Sequence, residues 1–162
     1  MPMLVSGLVA GFILGLASGG HWRRLTQLDL RFLPALVVAA ALRAVAPFFG
    51  QLALGISMFG LALIALVAVV NRALPGAWLV ALGSTLNLLV ISVNGGMPVD
   101  PEAMTTAGKS LPNDGLHVLL GPATHLGFLA DVLLAPIVNN VYSVGDVLLA
   151  AGGFWMAFRV LR

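Results

Sequence analysis

Long apolar runs separated by short polar connections dominate the chain. A helix that crosses a bilayer needs about 20 mainly apolar residues. Five runs approach or reach that length, and they are residues 3–18, 32–49, 52–70, 74–93 and 143–161. The pattern predicts an all-α fold, a polytopic membrane helical bundle of about five transmembrane helices. Because the first run starts apolar, without the basic segment of a signal peptide, we interpret it as a retained span.

The segment 116–137 is also apolar, but it is interrupted. Gly121 and Pro122 lie near its start and Pro136 lies near its end. Its ionisable side chains are His117, His125 and Asp131. We interpret the segment as re-entrant or interfacial, with a full crossing as the alternative. Irregular backbone is tolerated at membrane depth only where protein covers it, so we expect this segment to pack against the helices.

Composition supports a membrane protein and excludes several other classes. Hydrophobic residues make up 60% of the chain, charged residues only 9%, and the mean hydropathy is +1.05. An average globular chain carries about 25% charged residues, so this chain cannot cover a water-soluble surface. We predict one integral membrane domain over residues 1–162, with the lipid bilayer as its partner and no nucleic-acid binding. The lack of cysteine excludes disulfides and thiolate metal sites.

The basic residues predict an orientation in the membrane. If the segment 116–137 re-enters, six arginines share one side and only Lys109 lies on the other. The six are Arg23, Arg24, Arg31, Arg72, Arg159 and Arg162. If the segment crosses, the count becomes four against three. Basic loops favour the cytoplasm. We therefore predict a multi-pass protein of the cell inner (cytoplasmic) membrane, with its N-terminus outside and its C-terminus in the cytoplasm.

Glycine recurs every four residues along the first span. The positions are Gly7, Gly11, Gly15 and Gly19. Small residues at this spacing form a stripe, or glycine zipper, along which two helix backbones can approach closely in lipid. The stripe can pack within the chain or against a partner chain, and both interpretations stay open. Possible mates within the chain are Gly55, Gly60, Gly145 and Gly152.

Several polar residues fall in the outer half of the predicted bundle. They are Arg43, Asn87, Asn94, Asp131 and Asp146. A charge at membrane depth is a functional candidate, although Arg43 is also long enough to snorkel to the surface. We expect Arg43 to pair with Asp131 or Asp146 and to form a small polar binding pocket. The alternatives are an interhelical hydrogen bond for Asn87 and a helix C-cap for Asn94.

Asp131 and Asp146 lie on either side of a short return at residues 136–142. A close carboxylate pair splits its pKa values, so that one acid keeps a proton while the other acts as a base. Both are therefore candidate catalytic residues. The alternative for Asp146 is a structural role, because Ser143 three residues earlier begins a capping-box-like sequence.

The two histidines of the interrupted segment are further candidate binding residues. Imidazoles ligate metals and haem iron. His117 and His125, however, are eight residues apart with glycine and proline between them, and no third ligand is nearby in the sequence. Polar lining or an interfacial position is the simpler interpretation. We predict no metal site, and the identity of any cofactor stays open.

Three motifs carry a family resemblance. They are Asn94-Gly-Gly-Met-Pro98 after a span, Gly127-Phe-Leu-Ala-Asp131, and Tyr142-Ser-Val-Gly-Asp-Val-Leu-Leu-Ala-Ala-Gly152 at the start of the last span. With these motifs, the chain resembles a bacterial family of small multi-pass membrane proteins catalogued only as a domain of unknown function. The resemblance covers about half of the chain and implies no activity.

The same region has a second, local resemblance. Residues 94–96, 127–131 and 143–146 are similar in order to the motifs of lipoprotein signal peptidases, which are small aspartyl peptidases of the inner membrane. This resemblance implies that Asp131 and Asp146 form a catalytic pair. Three positions differ from the asparagine, arginine and asparagine of that family, namely Phe128, Val132 and Ser143.

Two functions of different classes follow. The first is an accessory or interaction subunit that packs in a larger membrane complex through its glycine stripe. The second is an intramembrane hydrolase of the aspartyl peptidase kind, or a lipid or small-molecule binding site. Geometry separates the two. An enzyme needs Asp131 and Asp146 facing each other across an accessible pocket, whereas a subunit needs no pocket.

Overall fold

Helices account for most of the molecule in the computed structural model, which describes residues 2–110, 113–136 and 138–162. The helices are α1 (Pro2–Ala17), α2 (Leu33–Val45), α3 (Ala53–Val70), α4 (Ala77–Asn94), the short α5 (Pro101–Thr106) and α6 (Val144–Leu161). Turns of 3₁₀ helix cover Trp22–Gln27, Ala46–Leu52 and Gly127–Leu129. The long helices begin and end close to the predicted apolar runs, so the predominantly helical fold is confirmed.

Three apolar stretches of the described chain are long enough to cross a membrane. They are Leu33–Val70, Ala77–Asn94 and Val144–Leu161, and the apolar helix Met3–Ala17 is shorter. The first stretch contains both α2 and α3. Between them the backbone leaves helical geometry at Phe49 and at Gly50, where φ is 51° and therefore suits glycine. Five crossings and their orientation stay predictions.

Contacts between the long helices fix their relative directions. Gly7 faces Ala150 and Gly11 faces Phe154, so α1 and α6 run parallel. Shared core clusters and glycine contacts show that α3 is antiparallel to α2 and α4, and that α4 is antiparallel to α6. One end of the bundle therefore carries the starts of α1, α3 and α6 and the ends of α2 and α4. We call it the cap end, because the described residues between 95 and 143 cover it.

Three of the four stripe glycines lie in the contact between α1 and α6. A Cβ on Gly7 or Gly11 would collide with the backbone carbonyl of Ala150 or Phe154, and one on Gly15 would come within 2.9 Å of the Leu161 side chain. The fourth position departs from the expected stripe. Gly19 lies beyond the end of α1 with φ of 87°, and a Cβ there would meet no atom of the described residues within 4 Å. The close packing is therefore internal to the chain.

Short strands at the cap end correct the all-α expectation. Strand β1 (Met97–Val99) pairs in parallel with β2 (His117–Leu119), and β3 (Leu133–Ala135) pairs antiparallel with β4 (Asn140–Tyr142). The segment 116–137 thus contains strands and one 3₁₀ turn in its described part. Proline and glycine prevent a long helix there, and the ladders satisfy backbone groups that would otherwise lack partners.

The opposite end of the bundle carries the arginine-rich connections. Asn71, in the turn after α3, accepts a hydrogen bond from the Arg31 backbone N–H and donates to the Arg31 carbonyl, both at 2.9 Å. The His21 backbone N–H donates to the Leu161 carbonyl at 2.9 Å. These bonds hold the linker between α1 and α2 beside the end of α6. The linker and the cap therefore lie at opposite ends of the bundle.

Candidate functional site

A cavity of about 620 Å³ lies beneath the cap, between the helix ends and the β-strands. Five of the predicted site residues line it, namely Arg43, Asn87, His117, Asp131 and Asp146. They come from α2, from α4, from β2, from the loop after the Gly127–Leu129 turn, and from the first turn of α6. Antiparallel packing brings these chain segments to one end of the bundle, which explains how residues about 100 positions apart share one cavity.

Arg43 reaches the cavity from the last turn of α2. Its Nη1 donates to the Ser57 hydroxyl at 2.8 Å and to the Ser57 carbonyl at 3.4 Å. A Cβ on Gly60 would come within 2.8 Å of the Arg43 side chain, so this glycine makes room for the stem. The buried Nε has no hydrogen-bond partner among the described residues.

The expected ion pair between Arg43 and an acid is therefore wrong. Within the described residues, the structure contains no salt bridge from Arg43 to Asp131 or Asp146. Ser57, a neutral hydroxyl on the adjacent helix, takes the place of the carboxylate. Other partners hold the acids, because Asn87 of α4 binds the Asp146 carboxylate and Pro98 and Asp100 bind the Asp131 backbone. Neither carboxylate therefore lies within salt-bridge distance of the guanidinium.

Asp146 belongs to a network that starts α6. Its backbone N–H donates to the Ser143 hydroxyl at 3.0 Å, so Ser143 caps the helix as its sequence pattern predicts. The Ser143 hydroxyl donates to Asn87 Oδ1 at 2.9 Å, and Asn87 Nδ2 donates to Asp146 Oδ1 at 3.1 Å. Asn87 thus makes the interhelical hydrogen bonds expected of it. The N-terminal turn of a helix also stabilises a negative charge.

Asp131 is held by its backbone. Its N–H donates to the Pro98 carbonyl at 2.9 Å, and its carbonyl accepts from the Asp100 N–H at 3.0 Å. The residue is 8% exposed, and its Oδ1 is buried without a hydrogen-bond partner in the described structure. Burial and the neighbouring Asp146 carboxylate raise the pKa of Asp131 to about 8. At neutral pH Asp131 is therefore a protonated acid that faces a cavity.

Exposed residues of the loop after α5 form one wall of the cavity, so it opens to the surface there. These residues are Gly108, Lys109 and Ser110. The Lys109 ammonium donates to Asn140 Oδ1 at 2.9 Å. On the other side, His117 Nδ1 lies 2.9 Å from Asp114 Oδ2. His117, Asp114 and Lys109 thus surround the entrance.

Two predicted site residues lie away from the cavity. Asn94 bridges to the backbone of residue 125, accepting from its N–H and donating to its carbonyl, both at 2.9 Å. This amide fastens the cap to the end of α4. His125 is exposed and does not line the cavity, so the structure does not bring it together with His117. Within the described ranges, no group of three His, Asp or Glu side chains could hold a metal ion.

Other residues of the cavity were not singled out in the sequence. The polar ones are Ser57, Lys109, Ser110, Asp114, Asn140 and Tyr142. A signal existed for Ser57, because it is the lone polar residue of an otherwise apolar run and lies near the level of Arg43 on the neighbouring span. The rest lie in loops, where no periodicity indicates which way a side chain points.

Comparison with known families gives one match. Residues 23–158 match a family of unknown function, DUF5317. The match includes α2 to α5, the strands and most of α6, together with the motifs that carry the sequence resemblance. The resemblance to an uncharacterised family is therefore confirmed. Comparisons with curated proteins and with solved structures give no match.

Proposed function

This chain belongs to the family of unknown function DUF5317, and we propose that it is a membrane protein that binds a small polar ligand in the cavity beneath its cap. Two unsatisfied polar atoms, Arg43 Nε and Asp131 Oδ1, carry the proposal. Buried polar groups in proteins are nearly always hydrogen-bonded. Because both residues line one cavity, we take these atoms as the groups whose bonding a ligand or water in the cavity completes.

Size and composition of the cavity support a ligand. Its volume of about 620 Å³ falls within the range of about 300–1,000 Å³ that is usual for small-molecule sites. Apolar side chains such as Ile91, Met97 and Val99 share its lining with polar and charged groups. Apolar lining together with polar groups that fix orientation is typical of sites that recognise a small molecule.

The proposed setting is the inner membrane, with the arginine-rich end in the cytoplasm and the cap on the outer side. The charge distribution along the bundle supports this orientation. Six arginines lie on segments at one end and Lys109 lies at the cap end. The cavity would then open at the outer surface of the membrane.

The test is purification in mild detergent followed by native mass spectrometry for a retained small molecule. Leu54 lines the cavity, so Leu54→Trp should fill part of it and displace the molecule. The matched control is Leu66→Trp on the same helix, because Leu66 is 60% exposed and does not line the cavity. We expect the wild type and L66W to retain the molecule and L54W to lose it. Equal retention by all three would refute binding in this cavity.

A hydrolase is the second candidate. Asp131 and Asp146 line the same cavity, and the charge of Asp146 contributes to raising the pKa of Asp131. A protonated acid beside a carboxylate is the arrangement that acid–base catalysis by two carboxyl groups requires. In this role Asp131 would donate a proton and Asp146 would activate water.

The hydrolase proposal has its own test. Purified wild type would be incubated in detergent with fluorogenic peptide and ester substrates. Asp131→Asn and Asp146→Asn should each abolish turnover, whereas Asp100→Asn, a half-buried helix cap that does not line the cavity, should not. Turnover that survives in either cavity variant would exclude the acid pair as the catalyst.

The accessory-subunit interpretation keeps weaker support. It relies on the glycine stripe as a docking surface, and Gly7, Gly11 and Gly15 already pack against α6. A partner would have to bind another face of the bundle. Co-purification of a stoichiometric protein partner would favour this interpretation over a ligand-binding one.

A further inference from the structure

We infer that the ligand of this cavity is anionic, carrying a carboxylate or phosphate group that binds the Arg43 guanidinium. The inference rests on the proposed ligand-binding function and adds the chemical class of the ligand. It follows from which charged groups of the cavity already have a direct partner and which do not.

Arg43 carries a charge that no carboxylate contacts directly in the described structure. Its recorded hydrogen bonds go to the hydroxyl and the carbonyl of Ser57, which are neutral, and its buried Nε has no partner among the described residues. A partly buried guanidinium loses hydration, and its charge is best compensated by an anion that accepts charge-assisted hydrogen bonds. Arg43 lines the cavity, so an anion there can approach the guanidinium.

Asp146 contributes only a through-space attraction to Arg43 and makes no salt bridge with it in the described structure, because its own surroundings hold it. The Asn87 amide donates to its carboxylate at 3.1 Å, and the Ser143 cap fixes its backbone at the start of α6. A carboxylate in the first turn also interacts favourably with the helix dipole. The charge of Asp146 is therefore stabilised where it stands, and Arg43 stays available to a ligand.

The remaining charged groups of the cavity fit the same picture. The Asp114 carboxylate is hydrogen-bonded to the His117 ring, with Oδ2 2.9 Å from Nδ1. Lys109 at the entrance bonds to a neutral amide, that of Asn140, so its positive charge also lacks a carboxylate. Asp131 presents a buried oxygen without a partner in the described chain, and in its protonated form it donates a hydrogen bond to a ligand oxygen. Arg43 and Lys109 are thus the two cations of the lining that have no salt bridge among the described residues.

Two sources could provide such an anion. One is a free metabolite with a carboxylate or phosphate group, and the other is the headgroup of an anionic lipid. Both would place negatively charged oxygens on Arg43, so the site chemistry is shared. The experiment separates them by the form in which the probe is offered.

Thermal unfolding of the purified full-length chain measures binding. Inorganic phosphate, glycerol 3-phosphate and acetate test free anions in detergent, and ethanolamine tests a cation of similar size. Nanodiscs of phosphatidylglycerol and of phosphatidylcholine test the headgroup. The variant is Arg43→Gln, which removes the charge and keeps a donor for Ser57. The matched control is Arg72→Gln, an exposed arginine at the opposite end.

We expect one anionic probe to raise the unfolding temperature of the wild type and of R72Q. R43Q should weaken that binding about tenfold to hundredfold, the factor usual for a hydrogen bond to a charged group. Stabilisation by a soluble anion identifies a free ligand, and stabilisation by phosphatidylglycerol alone identifies a lipid headgroup. If R43Q does not fold, Arg43→Lys replaces it, since lysine keeps the charge but loses the Nε–H, and the affinity should again fall.

Three results would overturn the inference. The first is stabilisation by ethanolamine and by no anion, which would leave the proposed binding function intact but reverse the charge of the ligand. The second is equal loss of anion binding in R43Q and R72Q, which would indicate diffuse attraction. The third is no response to any probe together with no retained molecule, which would remove the proposed function as well.

Discussion

Asp131→Asn should make the folded protein more stable at neutral pH and flatten the dependence of its stability on pH. The carboxyl group of Asp131 is 8% exposed, and its surroundings raise its pKa from 3.8 to about 8. Between these two values the unfolded chain has released the proton while the folded chain keeps it. Because the folded state then binds more protons, its stability falls as the pH rises through this window.

The size of the effect follows from the linkage relation. One proton of difference changes the free energy of unfolding by about 1.4 kcal/mol per pH unit. Over two units, from pH 5 to pH 7, the wild type should therefore lose about 2.7 kcal/mol through this residue. Asparagine has nearly the same shape and no proton to release, so D131N should lack this part of the slope.

The assay is unfolding by sodium dodecyl sulfate in mixed micelles, followed by circular dichroism at pH 5, 6 and 7. The control is Asp29→Asn, an exposed acid at the arginine-rich end, which should show the slope of the wild type. Parallel curves for D131N and the wild type would show that Asp131 is ionised in the folded protein at these pH values, and the reasoning on its burial would be refuted.

Three further predictions concern packing, the Arg43 contact and topology. Gly11→Leu should destabilise the bundle by at least about 1–3 kcal/mol, because any side chain there collides with the Phe154 carbonyl. The control is Val9→Leu on an exposed face of the same helix. Equal unfolding midpoints for the two variants would contradict the contact. Ser57→Ala should lower the free energy of unfolding by about 1–3 kcal/mol in the same assay, because it leaves Arg43 Nη1 without its hydroxyl partner. Ser92→Ala, at an exposed serine, should lower it less. The reverse order would argue against the bond. Since the chain has no cysteine, Thr105→Cys and Thr26→Cys can each be labelled alone with an impermeant reagent in intact cells. We expect only the Thr105→Cys variant to be labelled. Equal labelling of both variants would refute the proposed orientation.

The helices could be predicted from the sequence because their signal is long and redundant. The four later runs end at polar or turn residues, such as Asn71 and Asn94, and the observed helices end within a few residues of them. Apolar composition decides the existence of such helices, whereas the exact ends depend on local caps. The second run shows this limit, because α2 ends at Val45 and the chain continues as a 3₁₀ turn to Leu52.

The strands of the cap could not be predicted, and the reason is their length. Each strand has three residues, which is too short for an alternating pattern to be distinguished from a loop. The pairing of Met97 with His117 also joins residues 20 positions apart, so it depends on how the intervening loop folds. Glycine and proline in the sequence indicated that the segment is interrupted, but not what structure it adopts.

The error about Arg43 shows what sequence position leaves undetermined. Arg43 and both acids do line one cavity, so their depth along the spans was informative. Depth does not determine the direction of a side chain, however. Asn87 binds the Asp146 carboxylate, and Pro98 and Asp100 bind the Asp131 backbone. These partners are distant in the sequence from the acids that they hold.

The same hydrogen bonds explain why Arg43 and the acids do not form an ion pair that closes the cavity. An arginine and two acids in one low-dielectric space would be expected to collapse into an ion pair, since their attraction is strong there. Here Asp146 is fixed on the first turn of α6 and Asp131 on a strand bridge to Val99. Moving either acid to Arg43 would break backbone or capping hydrogen bonds that the fold needs. The separation of charges is therefore built into the backbone, and a site held open in this way needs little rearrangement when a ligand binds.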